Sequence, residues 1–205
     1  TLVPGRELEL KDSGLAIVLY PLIGLAMVFL YLQDASPTIR NSTFAHSVQD
    51  GIYLASTIGL GSSWPAITST VFSNNNTAGI SIDAASLLTL TGNTVVGNGT
   101  NGVAIRGGTI NGDATWNQTN LVYRFIGDVT VANGSRLRIG PGMIFKSNPD
   151  RRLSVAGKLV VSGTAGLPVY FTSYRDDTIG GNTNGGSASE TGVPGDWGWI
   201  EFASS

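Results

Sequence analysis

Apolar residues in the C-terminal half fall in short runs separated by Gly, Asn, Ser and Thr. Val129–Val131, Leu137–Ile139 and Ile144–Phe145 are followed by Leu153–Val155, Leu159–Val161 and Val169–Phe171, displaced by 24, 22 and 25 residues. A chain that repeats three short strands every two dozen residues winds into a coil and does not fold back as hairpins. The middle of the chain repeats in the same way. Ile39–Phe44, Ile67–Phe72 and Leu90–Val95 align without gaps, and each precedes a second strand at Ile52–Leu54, Ile80–Ile82 and Val103–Ile105. Both series shift by 28 and then by 23 residues, which places a variable loop near Ser56–Trp64.

The pattern predicts an all-β fold, a β-solenoid of about eight coils of three short strands. Adjacent coils lie about 4.8 Å apart, giving a rod on the order of 40 Å long. Phe44, Phe72, Ile139, Val155, Val161 and Phe171 are expected to point inward and to stack coil on coil. Thr43, Val71 and Thr94 form one column, with Phe44, Phe72 and Val95 beside it.

Composition supports the winding. Gly accounts for 28 of 205 residues, and charged residues for 13 %, against roughly 25 % in an average soluble domain. Gly and Asn tolerate the left-handed backbone of tight corners. Stacked Asn and Thr can hydrogen-bond in ladders from coil to coil. The chain has no cysteine, which excludes disulfides and thiolate metal sites. Net charge is −2. Arg136, Arg138, Lys146, Arg151 and Arg152 form a basic cluster that reads as solvated strand and loop residues. Nucleic acid is not an expected partner, because its grooves want a higher positive charge interleaved with aromatics.

Residues 1–35 depart from the repeat. Leu15–Leu32 is 18 residues without a charge, interrupted by Pro21 and Gly24. It reads either as two buried strands meeting at a Pro-containing corner, forming end coils of the solenoid, or as a membrane-spanning helix at the short end of the range, or as a helical cap. The strand reading is preferred, because Gly24–Leu32 runs without a linker into the coil at Ser36–Phe44. Residues 36–205 then form the solenoid.

Several strings resemble a known family. They are "VTVANGSRLRIGPGMIFK" at 129–146, "LSVAGKLVVSGTAGLPVYFTS" at 153–173, "YRDDTIGGNTNGG" at 174–186, "PGDWGWIEF" at 194–202 and Ser36–Phe44. They are similar to right-handed parallel β-helix repeat proteins of the bacterial secreted and surface type. The resemblance implies that fold, an extracellular or cell-surface location, and modules arranged in tandem within larger polypeptides. This chain is then expected to be a fragment, or one period of a longer array, that associates end to end with neighbouring modules or with itself.

Chemistry-bearing residues are few. His46 is the only histidine, so a Ser-His-Asp triad would depend on it and a multi-histidine metal site is excluded. It reads as a loop residue. Carboxylates are thinly spread, so paired-carboxylate catalysis has no evident centre. Asp176, Asp177, Asn182 and Asn184 crowd a Gly-rich loop. They offer oxygens for a structural calcium ion, with a turn capped by its own Asp and Asn side chains as the alternative. No other cofactor is implied. Trp197 and Trp199 flank Gly198 and share one strand face, as a platform for carbohydrate or as residues buried under the preceding loop, with Ile200 and Phe202 on the other face. Asn-x-Ser/Thr sequons occur at Asn41, Asn75, Asn98, Asn117 and Asn133. The expected function is a non-catalytic extracellular structural or adhesive module. The alternatives are a carbohydrate-active β-helix enzyme of the polysaccharide lyase or hydrolase type, and a membrane-anchored extracytoplasmic subunit held by Leu15–Leu32.

Overall fold

The computed structural model describes residues 8–9, 16–22, 25–31, 38–55, 65–186 and 189–203. Three strands come first: β1 (Leu8–Glu9), β2 (Ala16–Leu22) and β3 (Leu25–Tyr31). The remaining strands form successive triplets. These are β4 (Thr38–Arg40), β5 (Thr43–Ala45), β6 (Ile52–Leu54); β7 (Ala66–Thr68), β8 (Val71–Ser73), β9 (Ile80–Ile82); and β10 (Thr89–Thr91), β11 (Thr94–Val96), β12 (Val103–Ile105). Then come β13 (Gly108–Ile110), β14 (Asp113–Trp116), β15 (Tyr123–Phe125); β16 (Val129–Val131), β17 (Arg136–Ile139), β18 (Ile144–Ser147); and β19 (Arg152–Val155), β20 (Lys158–Val161), β21 (Tyr170–Ser173). β22 (Trp199–Phe202) opens a further turn.

Like-placed strands of successive triplets pair in parallel, so the chain is a solenoid with three walls. The first wall is β4-β7-β10 and then β13-β16-β19-β22; the second is β5-β8-β11 and then β14-β17-β20. The third wall, β6-β9-β12-β15-β18-β21, is continuous. Its six rungs span five turns, fewer than the eight coils expected from the sequence. The difference has two sources. Residues 174–186 and 189–198 lie in a long excursion between β21 and β22, and β2 and β3 pair as a hairpin.

Most of Leu15–Leu32 is strand: β2 and β3 pair antiparallel from Ala16↔Tyr31 to Leu22↔Leu25. Leu15, Ile23, Gly24, Leu32 and the loop Ser56–Trp64 lie outside the described residues. The segment is thus a hairpin on the edge of the third wall, where Phe29 pairs with Tyr53, and not a pair of parallel end coils. Pro21 sits opposite Ala26, beyond the pairing with β1, where its missing N–H breaks no ladder. No helix among the described residues is long and apolar enough to cross a membrane.

The register follows the sequence repeats. Ile39, Ile67 and Leu90 stack, as do Phe44, Phe72 and Val95, with Thr43, Val71 and Thr94 beside them. One alignment is off by a residue. Ile144 pairs with Tyr170, not Val169, which sets Phe145 opposite Phe171 with ring centroids 5.1 Å apart. Phe125 stacks on the other face of Phe145 at 5.6 Å, and Trp116 and Tyr123 close around it. Phe72, Ile139 and Val155 are fully buried, and Phe44 and Phe171 pack against the core. Val161 is 45 % exposed despite its inward column, because no described coil covers it.

Corners repeat as faithfully as strands. Asn41, Ser69 and Gly92 occupy one left-handed corner, with φ of 50, 49 and 62°. His46, Asn74 and Gly97 occupy the next, with φ of 60, 54 and 67°. The lone histidine is therefore a corner residue. Behind these corners run two internal asparagine ladders. Asn75 Nδ2 donates to Asn98 Oδ1 at 2.8 Å and to the Phe44 carbonyl at 3.0 Å. Asn98 Nδ2 in turn donates to the Phe72 carbonyl at 2.9 Å and to Asn101 Oδ1 at 3.2 Å. Asn93 and Asn120 repeat the device one corner away. The first two walls break between the third and fourth triplets. There Gln118 Oε1 and Asn120 Oδ1 accept from the N–H groups of Leu90 and Asn93, so side chains replace the missing ladder.

Candidate functional site

The outward row of the third wall is Tyr53, Ser81, Ala104, Arg124, Lys146 and Thr172, one residue per coil. An outward row should be wet, yet Ser81, Ala104 and Lys146 are fully buried. For Lys146 the cover is residues 174–186, which leave β21 and fold back along this wall as a strap. The Thr183 carbonyl accepts from the N–H of Asn101, beside β12. Tyr174 lies under the Arg124 guanidinium at 4.9 Å. Lys146 Nζ donates to the Gly181 carbonyl at 2.5 Å.

The predicted calcium-binding residues all lie in this strap, but they face different partners. Asp176 accepts from Thr172 Oγ1 at 2.6 Å and from Thr178 N–H and Oγ1 at 3.1 and 2.5 Å. Burial acts to raise its pKa, but these bonds and the Lys146 charge outweigh it and hold it below the ordinary carboxylate value. Asp177 Oδ2 accepts from the Glu190 N–H, while its buried Oδ1 has no partner. The oxygens of Asn182 and Asn184 accept from the N–H groups of Gly185 and Gly186, as in a turn capped by its own side chains. The structure thus brings Asp176 and Asp177 into the field of the Lys146 ammonium and leaves the two amide oxygens to the loop backbone. Desolvation pushes the Lys146 pKa down, Asp177 and Asp176 push it back up, and Arg124 adds to the lowering. Sequence reasoning placed Lys146 in a solvated cluster. The overlooked signal was its place in the column of Ala104 and Ser81, one step from Phe145.

The rest of that basic cluster resolves into ion pairs. Arg136 meets Asp113 at 3.1 Å, Arg151 meets Asp150 at 2.9 Å, and Arg152 meets Asp128 and Glu201 at 3.4 and 3.7 Å. Arg138 is exposed. On the same outward wall Arg106 pairs with the buried Asp50 and lies over the Tyr53 ring, a contact sequence reasoning missed. Two sequon asparagines, Asn75 and Asn98, are buried in the ladder; Asn41, Asn117 and Asn133 are exposed.

Trp197 and Trp199 are 37 % and 48 % exposed. Gly198 brings the chain so close to Arg151 that an added Cβ would lie 1.5 Å from the Arg151 carbonyl oxygen. β22 docks on β19 with Ile200 opposite Leu153 and Phe202 opposite Val155, so these two take the inward columns. Trp199 and Glu201 take the outward ones, beside Arg152 and Ser154. Among the described residues, no group of three or more His, Asp or Glu stands where it could share a metal ion.

A family model described as the right-handed beta helix region matches residues 27–118. That stretch begins within β3, ends just after β14, and contains the three coils β4–β12 with their left-handed corners and the Asn75–Asn98–Asn101 ladder. The chain is a parallel β-helix repeat protein. No curated protein and no solved structure matches it. In this β-helix the ionisable groups of the third wall are engaged with one another or with the strap, and the apolar surface gathers at the C-terminal coil.

Proposed function

We propose that this β-helix is a non-catalytic structural or adhesive module acting outside the cell as one stretch of a longer run of coils. One observation carries the reading: the core is open at the C-terminal coil. β20, β21 and β22 each pair on one side only among the described strands. Phe202 continues the buried Val131–Val155 column and is 74 % exposed. Val161 continues the Trp116–Ile139 column and is left open in the same way. Inward-facing apolar residues and three unpaired edges are what the internal face of any coil would show if the next coil were lifted off.

The surface that fits is another parallel coil of the same three walls. The opposite end of the described solenoid is stepped, because β1–β3 extend the third wall past β4 and β5. Contact between separate copies is therefore offset and weak, reached only as concentration rises, and a run of coils in tandem covers the open coil better. The extracellular setting rests on the family resemblance of the motifs.

The test has two arms. In sedimentation velocity the parent chain should associate as concentration rises, through its open coil, and Phe202→Asp with Val161→Asp should remain monomeric. A parent that stays monomeric at high concentration sinks the open-coil reading. Release of reducing ends or unsaturated sugars from xylan, mixed-linkage β-glucan or polygalacturonate would sink the non-catalytic one.

A further inference from the structure

From β13 onward the outward face of the first wall is polar until its last strand, with Thr109, Thr130, Arg152 and Ser154 along it. Thr130, Ser154 and Glu201 form one outward row, and Arg152 and Trp199 the next. An indole therefore stands where neighbouring coils carry charge or hydroxyl. It is held there: Trp199 Nε1 donates to Glu201 Oε2 at 3.2 Å, and Glu201 Oε1 lies 3.7 Å from Arg152 Nη1. Arg152 Nε reaches Asp128 at 3.4 Å, which ties the group to the preceding coil. Trp197 and Trp199 line the mouth of a small cleft with Arg151 and Arg152, and the core side chains Phe145, Phe171 and Ile200 form its floor. Trp199 and Glu201 point away from the core, so a further coil stacked on β22 would leave the Trp199 side chain on the outside.

A flat apolar ring fixed among paired donors and acceptors matches one ligand chemistry. A pyranose has an apolar C–H face that lies on an indole and an equatorial rim of hydroxyls that both donate and accept. The charges here are already balanced, Arg152 by Asp128 and Glu201, so the surface asks for a neutral polyol and not for an ion. Fixing the indole in advance lowers the ordering cost of binding. We propose that Trp199, with Trp197 beside it and Arg152 and Glu201 at its rim, is a carbohydrate-binding strip that takes pyranose residues of a neutral polysaccharide. The inference rests on the adhesive reading and names its ligand class.

Native gels containing xylan, mixed-linkage β-glucan or polygalacturonate provide the test, with the chain run as the parent, Trp199→Ala and Trp197→Ala. At least one neutral polysaccharide should retard the parent, and Trp199→Ala should bind it on the order of tenfold more weakly, or about 1.4 kcal/mol. Quenching of tryptophan fluorescence by the same polysaccharide should fall in parallel. Because Trp199 points outward, the variant should melt with the parent; Trp199→Phe serves where it does not, and should restore part of the retardation. No retardation of the parent by any of the three, or equal retardation of Trp199→Ala, overturns the proposal. So does retardation by polygalacturonate alone that salt abolishes, which would mark a purely ionic contact. Loss of self-association in Trp199→Ala without any polysaccharide binding by the parent would assign the strip to protein contact. Sugar release in the catalytic assay bears on the non-catalytic reading and leaves this one standing.

Discussion

The substitution Phe72→Ala tests the winding most directly, because one ring serves three coils. Phe72 is fully buried, stacked on Phe44 with centroids 5.4 Å apart and rings 13° from parallel, and followed in its column by Val95. Truncating a buried Phe to Ala costs about 3–5 kcal/mol, the lost transfer free energy plus the cavity left behind. Two features put this site toward the upper end. The Phe44 stack is lost, which contributes about 0.5–1.5 kcal/mol beyond area. The walls cannot close over the hole either, since ladder hydrogen bonds fix the coils about 4.8 Å apart. Phe202→Ala is the matched control. It has the same residue type and an inward column, but it lacks a covering coil and should cost under about 0.5 kcal/mol. Urea unfolding followed by far-UV circular dichroism and by tryptophan fluorescence gives both values, provided the two probes coincide. A loss under about 1 kcal/mol for Phe72→Ala, or equal losses at the two sites, would refute the assigned register.

Asn98→Ala should cost roughly 2 kcal/mol or more in the same assay, because it strands the Asn75 N–H and amide and the Phe72 carbonyl inside the molecule; a neutral outcome would remove the ladder from the account of stability. The depressed pKa of Asp176 means that the unfolded chain binds the proton more readily, so the carboxylate stabilises fully above the ordinary value of about 4 and loses that effect as pH falls below it. Asp176→Asn should therefore flatten the acid limb of the stability–pH curve, and an unchanged limb would count against the Thr172 and Thr178 bonds. With Lys146 already supplying positive charge under the strap, millimolar calcium should leave the melting temperature unchanged. A calcium-dependent rise that disappears in Asp177→Ala would instead place the ion on the free Asp177 oxygen.

Much of the coil was legible in the residues alone. Ile39, Ile67 and Leu90, or Ile52, Ile80 and Val103, recur with shared offsets because each coil must return to the same wall. A strand three residues long has one or two inward positions, so an apolar residue is dictated at each return. The corners were legible for a similar reason: left-handed backbone selects Gly and Asn, and the pairing of Asn41 with Gly92 and of Asn74 with Gly97 shows the selection. The coil Gly108–Phe125 escaped notice, because Thr109 and Ala114 give it no apolar triplet like its neighbours. The turn count erred in the other direction, since spacing cannot tell a coil from a strap of similar length.

What repeats locally follows from the order of residues alone: strands, corners, column membership and the absence of a thiol or multi-histidine site. What lies over an outward face comes from long-range packing. Lys146 is a surface residue by alternation and is buried because the strap 174–186 returns across the third wall. Phe202 and Val161 are core residues by alternation and are exposed because no described coil covers them. Alternation assigns a side chain to one face of a strand; whether that face meets water depends on segments far away in the chain, and no local pattern encodes their return.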